Sequence, residues 1–321
     1  MMGSRLLLAG ALCLAALPAT AQDQFEEVRD WLGRMAESMR EQDYQGTFIY
    51  VRGDDVETIQ MTHALVDGVL QERLVAVSGP PREIVRSGDR VSRSVHGPGE
   101  AEASPALTGT VFPEFSVEML DRARDRYVFE LAGGGRIAGH EGQKITITPR
   151  DGYRYGYELW LERQSALLLR WVLYDANRRA LAKLMFTDLA TGDAVDKSRL
   201  DGARDTPLVP VAAPAPSLAA TSGAGELLTG MDLPPGFELA AHSRDPGAAG
   251  DQHLVFSDGL ASVSIYIDQS RLDDVPDGLV RMGTTNAWSR RSDRHRVTAV
   301  GEVPPVTLKR FGMAFLKSPI D

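Results

Sequence analysis

The chain has 321 residues, with 44 acidic against 35 basic side chains and a formal charge of −9. That acidic balance argues against nucleic-acid binding, and the length predicts two domains.

Arg5 precedes an uncharged run, 6–17, and Ala19-Thr20-Ala21 follows as an A-x-A cleavage site. The pattern predicts a secretory signal peptide over 1–21, too short to span a bilayer. Leu12 stands before Cys13 where a lipoprotein signal needs a small residue, so lipidation is not expected. Cleavage removes Arg5 and Cys13, taking the charge from −9 to −10. A mature chain without cysteine has no disulfide, thiol nucleophile or thiolate zinc site. No later segment is long and apolar enough to cross a membrane. A soluble protein exported to a bacterial periplasm is expected.

Positions 24–42 predict a helix, because Phe25, Val28, Leu32, Met35 and Met39 recur every three or four residues. Strands follow at 45–52, 58–65, 69–77, 82–86 and 90–95, separated by turns at Asp67-Gly68, 79–81 and Gly88-Asp89. Positions 97–113, rich in Pro, Gly, Ala and Ser, predict a loop. Ser116 then predicts the N-cap of a short helix to residue 123. Strands at 126–131 and 142–148 flank Gly133-Gly134-Gly135, read as a hairpin turn.

The stretch 151–174, DGYRYGYELWLERQSALLLRWVLY, is the most informative. Tyr155, Tyr157, Leu159 and Leu161 alternate along one strand, with Glu158 and Glu162 on its other side. A polar turn leads to a second strand with Leu167, Leu169, Trp171 and Leu173 on one face. A strand at 180–189 completes a β-rich domain over 22–200, antiparallel because no helices intervene.

A linker is predicted at 201–225, where Pro, Ala, Ser and Gly gather without periodicity. Beyond it, strands at 237–242, 253–257, 260–268 and 283–289 and a helix at 307–315 predict a smaller α+β domain, 226–321. Ser257-Asp258-Gly259 reads as its hairpin turn.

The chain has none of the serine-hydrolase, zinc-protease, Walker or dinucleotide signatures. Its six histidines have no metal-ligand spacing, and Asp54-Asp55 and Asp273-Asp274 lack the ligand alternation of a calcium loop. No enzyme, metal or cofactor is therefore proposed. Two features carry functional readings. Phe48, Tyr50, Tyr155, Tyr157, Leu167, Leu169 and Trp171 form either an ordinary core or a groove for acyl chains. Trp288, Arg290, Arg291, Arg294 and Arg296, in WSRRSDRHR, form either a solvated loop or a docking site for an acidic partner.

The chain resembles the MucB/RseB family of regulators of the envelope-stress sigma factor sigma-E. The resemblance is carried by WLGRMAESMREQDYQGTFIYVRGDDVETIQMTH, DGYRYGYELWLERQSALLLR, LPPGFEL, LVFSDGLASVSIYID, MGTTNAWSRR and VTAVGEVPPVTLKRF. It implies a large domain similar to the lipoprotein carriers (LolA-like), an open antiparallel half-barrel with covering helices, and a small α+β domain that binds the anti-sigma factor. It also implies a periplasmic negative regulator that shields a membrane-bound anti-sigma factor, of the RseA or MucA type, from proteolysis. Lipoprotein acyl chains or lipopolysaccharide would release it. A carrier that only ferries lipoproteins is the alternative, and an unrecognised hydrolase a weaker third. The oligomeric state is left open, a homo-oligomer included.

Overall fold

Strands whose side chains alternate between inside and outside build a large sheet. In the computed structural model the residues described are 21–79, 81–95, 112–203, 209–210, 228, 230–244, 251–269, 276–293 and 295–317. Residues 1–20 of the expected signal peptide (1–21), most of the 97–113 loop and most of the 201–225 linker lie outside them, as do Asp273-Asp274 and Arg294.

The strands of the large sheet are β1 (Tyr44–Arg52), β2 (Asp55–Val66), β3 (Val69–Ala76), β4 (Arg82–Ser87), β5 (Arg90–Val95), β6 (Tyr127–Ile137), β7 (His140–Pro149), β8 (Gly156–Glu162), β9 (Leu168–Tyr174), β10 (Ala180–Thr191) and the two-residue β11 (Val209–Pro210). Their order is β11-β5-β4-β3-β2-β1-β10-β9-β8-β7-β6. The pairings are antiparallel, as expected. The sheet curls enough for β6 to return against β10. There His140 Nε2 donates to the Leu189 carbonyl at 3.0 Å.

Helix α1 (Ala21–Glu41) lies over the inner face with Phe25, Val28, Leu32 and Met35 buried. Phe25 meets Phe129 edge-on at 5.1 Å. Each fully buried apolar side chain is worth roughly 1.5–3 kcal/mol. The part-exposed Arg29–Asp121 ion pair, at 3.0 Å, adds under about 1 kcal/mol, so burial holds α1 in place. Helix α2 (Val117–Ala123) starts where expected: Ser116 Oγ accepts from the Met119 amide at 3.2 Å.

Two local readings are corrected. The glycine run is no turn: it lies inside β6, with a bulge between Ala132 and Gly134. The reversal comes at Ala138-Gly139, both at positive φ (50° and 86°). Gly135 is packed by a ring from β8: a Cβ there would come within 2.7 Å of Trp160 Cζ3. Between β8 and β9 the register shifts at Trp160/Leu161, which sets Leu168, not Leu169, opposite Leu161. Leu168 joins the inner core with Trp171 and Leu173. Leu169 is buried on the outer face, near Trp160 and Gly142.

The second sheet has the order β12-β13-β14-β17-β16-β15. Its strands are β12 (Glu238–Arg244), β13 (Gln252–Ser257), β14 (Ser262–Asp268), β15 (Gly278–Met282), β16 (Thr285–Arg291) and β17 (Arg296–Gly301). Helix α3 (Pro305–Lys317) packs over β16 and β17. The Ser257–Gly259 turn joins β13 to β14 as expected, while β15 and β17 were not anticipated.

Candidate binding surfaces and the seam between the sheets

The inner face of the large sheet gathers aromatic side chains from distant parts of the chain. β1 places Phe48 and Tyr50 on the same side because alternate residues share a face. Phe48 meets Phe186 of β10 at 5.5 Å and Phe112 at 5.9 Å. Tyr50 lies 6.2 Å from Trp171 of β9, and Tyr157 of β8 meets Phe115 edge-on at 5.8 Å. Phe48, Tyr50, Leu167 and Trp171 are buried in this core, and part-exposed Tyr157 packs against it. Burial pushes the phenols of Tyr50 and Tyr157 above their ordinary range, and the carboxylate of Glu302 adds to it. Among the described residues the buried Trp171 indole N–H has no hydrogen-bond partner. A buried donor left unpaired is costly, so this position stands out from an ordinary apolar core.

Tyr155 is buried in the same core, and its hydroxyl also reaches the small domain. With Tyr153 and Arg154 it forms a strip of the β7–β8 connection against which the small domain docks. Asn286 Nδ2 of β16 donates to the Tyr155 hydroxyl at 3.0 Å and to the Val303 carbonyl at 2.8 Å. Thr307 Oγ1 of α3 donates to the Tyr153 carbonyl at 2.8 Å, and Arg310 donates to the Tyr153 hydroxyl.

Arg154 is at the centre of this seam and is wholly buried. Its Nε donates to Asp258 Oδ2, its Nη1 to Asp151, and its Nη2 to the Pro235 carbonyl at 2.6 Å. Its guanidinium lies 4.7 Å from the Phe237 ring centroid. Asp258 Oδ2 also accepts from the Tyr127 hydroxyl at 3.2 Å, and Oδ1 accepts from the Leu260 and Ala261 amides at 2.9 and 2.7 Å. The network joins both domains and satisfies each charge, the condition under which a buried pair is tolerated. Sequence reading took Asp258 only as a turn residue and passed over Arg154. The only local signal was a charged residue between two tyrosines.

The arginine segment is not an exposed loop, which corrects the expectation. Trp288, Arg290 and Arg291 lie in β16, and Arg296 opens β17. Trp288 is buried in the small core beneath Gly312 of α3. Arg296 is 4% exposed and donates to Asp277 Oδ1 at 2.8 Å and Ser289 Oγ at 3.0 Å. Arg290 and Arg291 are exposed, with Arg290 Nη1 4.0 Å from Met313 Sδ. Position along β16, buried at Trp288 and Ser289 and exposed at Arg290 and Arg291, separates these roles, which a count of arginines does not.

No helix among the described residues is long and apolar enough to cross a membrane. Two sheets with an aromatic inner face and a saturated ionic seam define a two-domain binding protein. The chain belongs to the MucB/RseB family: the family's N-terminal domain model matches residues 27–203 and its C-terminal domain model residues 227–315. This is a family of regulatory binding proteins, not of enzymes. The chain is 32% identical to the sigma factor AlgU regulatory protein MucB of Pseudomonas aeruginosa, over 97% of this chain and 96% of that one. It is 28% identical to the sigma-E factor regulatory protein RseB of Escherichia coli K12, over 83% of each. Among solved structures, MucB in the P. aeruginosa MucA/MucB complex is similar with a TM-score of 0.64 and 30% identity, covering 88% of this chain and 96% of that one.

Proposed function

We propose that this protein is an exported, periplasmic negative regulator of a sigma-E-type envelope-stress response. It binds the periplasmic domain of a membrane-bound anti-sigma factor and shields it from the protease that starts its degradation. The observation that carries the reading is likeness across both domains to MucB, which was solved with MucA, at 30% identity and a TM-score of 0.64. The small domain contributes to the partner surface through the exposed Arg290 and Arg291. Arginine forks pair directionally with carboxylates.

Release is by lipid. An acyl chain, from a mislocalised lipoprotein or lipopolysaccharide, enters the aromatic inner face of the large domain. The unpaired Trp171 indole N–H supports this, because an ester or amide carbonyl at the head of an acyl chain would satisfy it.

The test is reconstitution from purified parts. The protein, the anti-sigma factor's periplasmic domain and its initiating protease are combined, and cleavage is followed with and without lipopolysaccharide. Protection that lipid reverses supports the reading. Equal cleavage with and without this protein sinks it.

A further inference from the structure

The free edge of the small sheet carries the clearest unassigned surface. β15 is the last strand of that sheet, and among the described residues it has β16 as its only strand neighbour. An edge strand offers a row of unpaired N–H and C=O groups, and soluble proteins usually guard it. This one is apolar: Leu279, Val280 and Met282 are 42, 47 and 53% exposed.

The register shows which backbone groups are open. Met282 pairs with Thr285 across the two-residue Gly283-Thr284 turn, Val280 with Ala287 and Gly278 with Ser289, without a shift. In a hairpin closed by two residues the closing pair is hydrogen-bonded, and bonded pairs then alternate. The N–H and C=O groups of Leu279 and Arg281 therefore point away from β16, towards the open edge.

The side chains divide by the same alternation. Leu279 and Arg281 stand opposite Trp288 and Asn286, whose face is covered by α3, and Arg290 is on that face beside Met313. Val280 and Met282 are on the other face. Gly283, at the strand's end, is packed by Arg52 of the large sheet, whose Cζ lies 2.8 Å from where a Cβ would stand. The edge therefore runs out from the seam between the domains.

We infer that β15 takes up an extended segment of the anti-sigma factor's periplasmic domain as an added strand. The inference rests on the proposed function and specifies the contact. The added strand bonds the outward groups of Leu279 and Arg281, as in other strand-addition complexes. Its side chains alternate, with acidic residues towards Arg281 and Arg290 and apolar ones over Val280 and Met282.

The experiment combines amide hydrogen exchange with titration calorimetry, using the full mature chain and the periplasmic domain of the anti-sigma factor from the same cell. In the complex the Leu279 and Arg281 amides become protected, while in the free protein they exchange fast. Arg281→Pro removes the outward N–H without touching the β16 ladder, since proline is accepted at such edge positions. It weakens binding about tenfold or more, the worth of a lost backbone hydrogen bond with its strand geometry. Arg281→Ala keeps the N–H and weakens binding less than about threefold, as a rim charge does. If the complex forms with both amides unprotected, or Arg281→Pro binds like the parent, the added strand is overturned and the partner reading survives. If Arg281→Pro does not fold, amide protection alone decides. Absence of any complex overturns both. Protection that grows with protein concentration in the free chain assigns the edge to a second copy instead.

Discussion

Arg154 in the β7–β8 connection donates through Nε to Asp258, which lies 104 positions further along the chain, and neither side chain is exposed to solvent. The pair is the ionic centre of the seam between the two sheets. Removing one partner of a buried pair leaves the other uncompensated, at a cost of about 3–5 kcal/mol. Arg154→Met is expected to lose that much in urea denaturation and to separate the unfolding of the two sheets into two transitions. Asp258→Leu alone should cost at least as much, because the Leu260 and Ala261 amides lose their acceptor as well. The double variant should cost less than the sum. Additive losses would mean that the two groups are not coupled.

Gly312 of α3 tests packing in the small domain. A Cβ there would run into the Trp288 ring. Helix propensity alone favours Gly312→Ala by about 1 kcal/mol, whereas overpacking costs roughly 1–3 kcal/mol. Loss of stability is the expected sign, and a bulkier Gly312→Val should lose more. A thermal midpoint raised by Gly312→Ala would show that Trp288 moves aside without strain.

The strands of the large domain were legible because each has one wet and one dry face, as in β1, where Tyr44, Phe48 and Tyr50 are buried and the intervening side chains are only partly so. Ser116 as N-cap and Asp258 as turn residue were legible because their bonds reach only three residues. Leu169 was misplaced because a bulge breaks the two-residue period, and nothing in LLLR announces one. Gly135 of β6 read as part of a turn because the side chain packed on it, Trp160, is more than twenty positions away. Arg296 looked exposed because Asp277, its partner, is contributed by another strand connection. The Arg154–Asp258 seam was invisible for the same reason, since pairing across a hundred residues leaves no local pattern.

A pH dependence is expected from Glu72. Burial would raise its carboxyl, but the hydrogen bond from His63 Nδ1 at 2.9 Å and the Arg86 guanidinium, also at 2.9 Å, outweigh burial and hold it below the ordinary 4.5. A depressed carboxylate contributes stability above its unfolded value and loses it as pH falls through the folded value. The stability difference between the parent and Glu72→Gln should be constant near neutrality and shrink below about pH 4.5. A difference that stayed flat down to about pH 3 would remove Glu72 as the cause.

Trp171 separates core from lipid site. Trp171→Phe keeps most of the apolar contact and removes the unpaired N–H, so folding stability should change by less than about 1.5 kcal/mol. If an acyl head group uses that donor, affinity for lipopolysaccharide should fall about fivefold to tenfold, matching one hydrogen bond of about 1 kcal/mol or more. Leu169→Ala, on the outer face, serves as the control and should destabilise without a specific loss of lipid. Unchanged lipid affinity in Trp171→Phe would leave the indole as a packing residue only.

The arginine segment should divide by burial rather than by charge. Arg290 and Arg291 are exposed on β16, so the double Arg290→Glu, Arg291→Glu variant should keep its thermal midpoint. Exposed pairs contribute up to about 1 kcal/mol each, so affinity for the anti-sigma factor's periplasmic domain should fall by at most about 2 kcal/mol. Most of the loss should appear in the association rate, where rim charges act, and it should shrink as salt is added. Arg296→Glu should behave in the opposite way. Its side chain is buried against Asp277 and Ser289, so a carboxylate there meets like charge in a desolvated place, and folding suffers before binding. Stopped-flow association at low and moderate salt, with a thermal melt of each variant, distinguishes the two roles. An association rate unchanged in the double variant would exclude Arg290 and Arg291 from the partner surface, and a stable Arg296→Glu would show that its burial is dispensable.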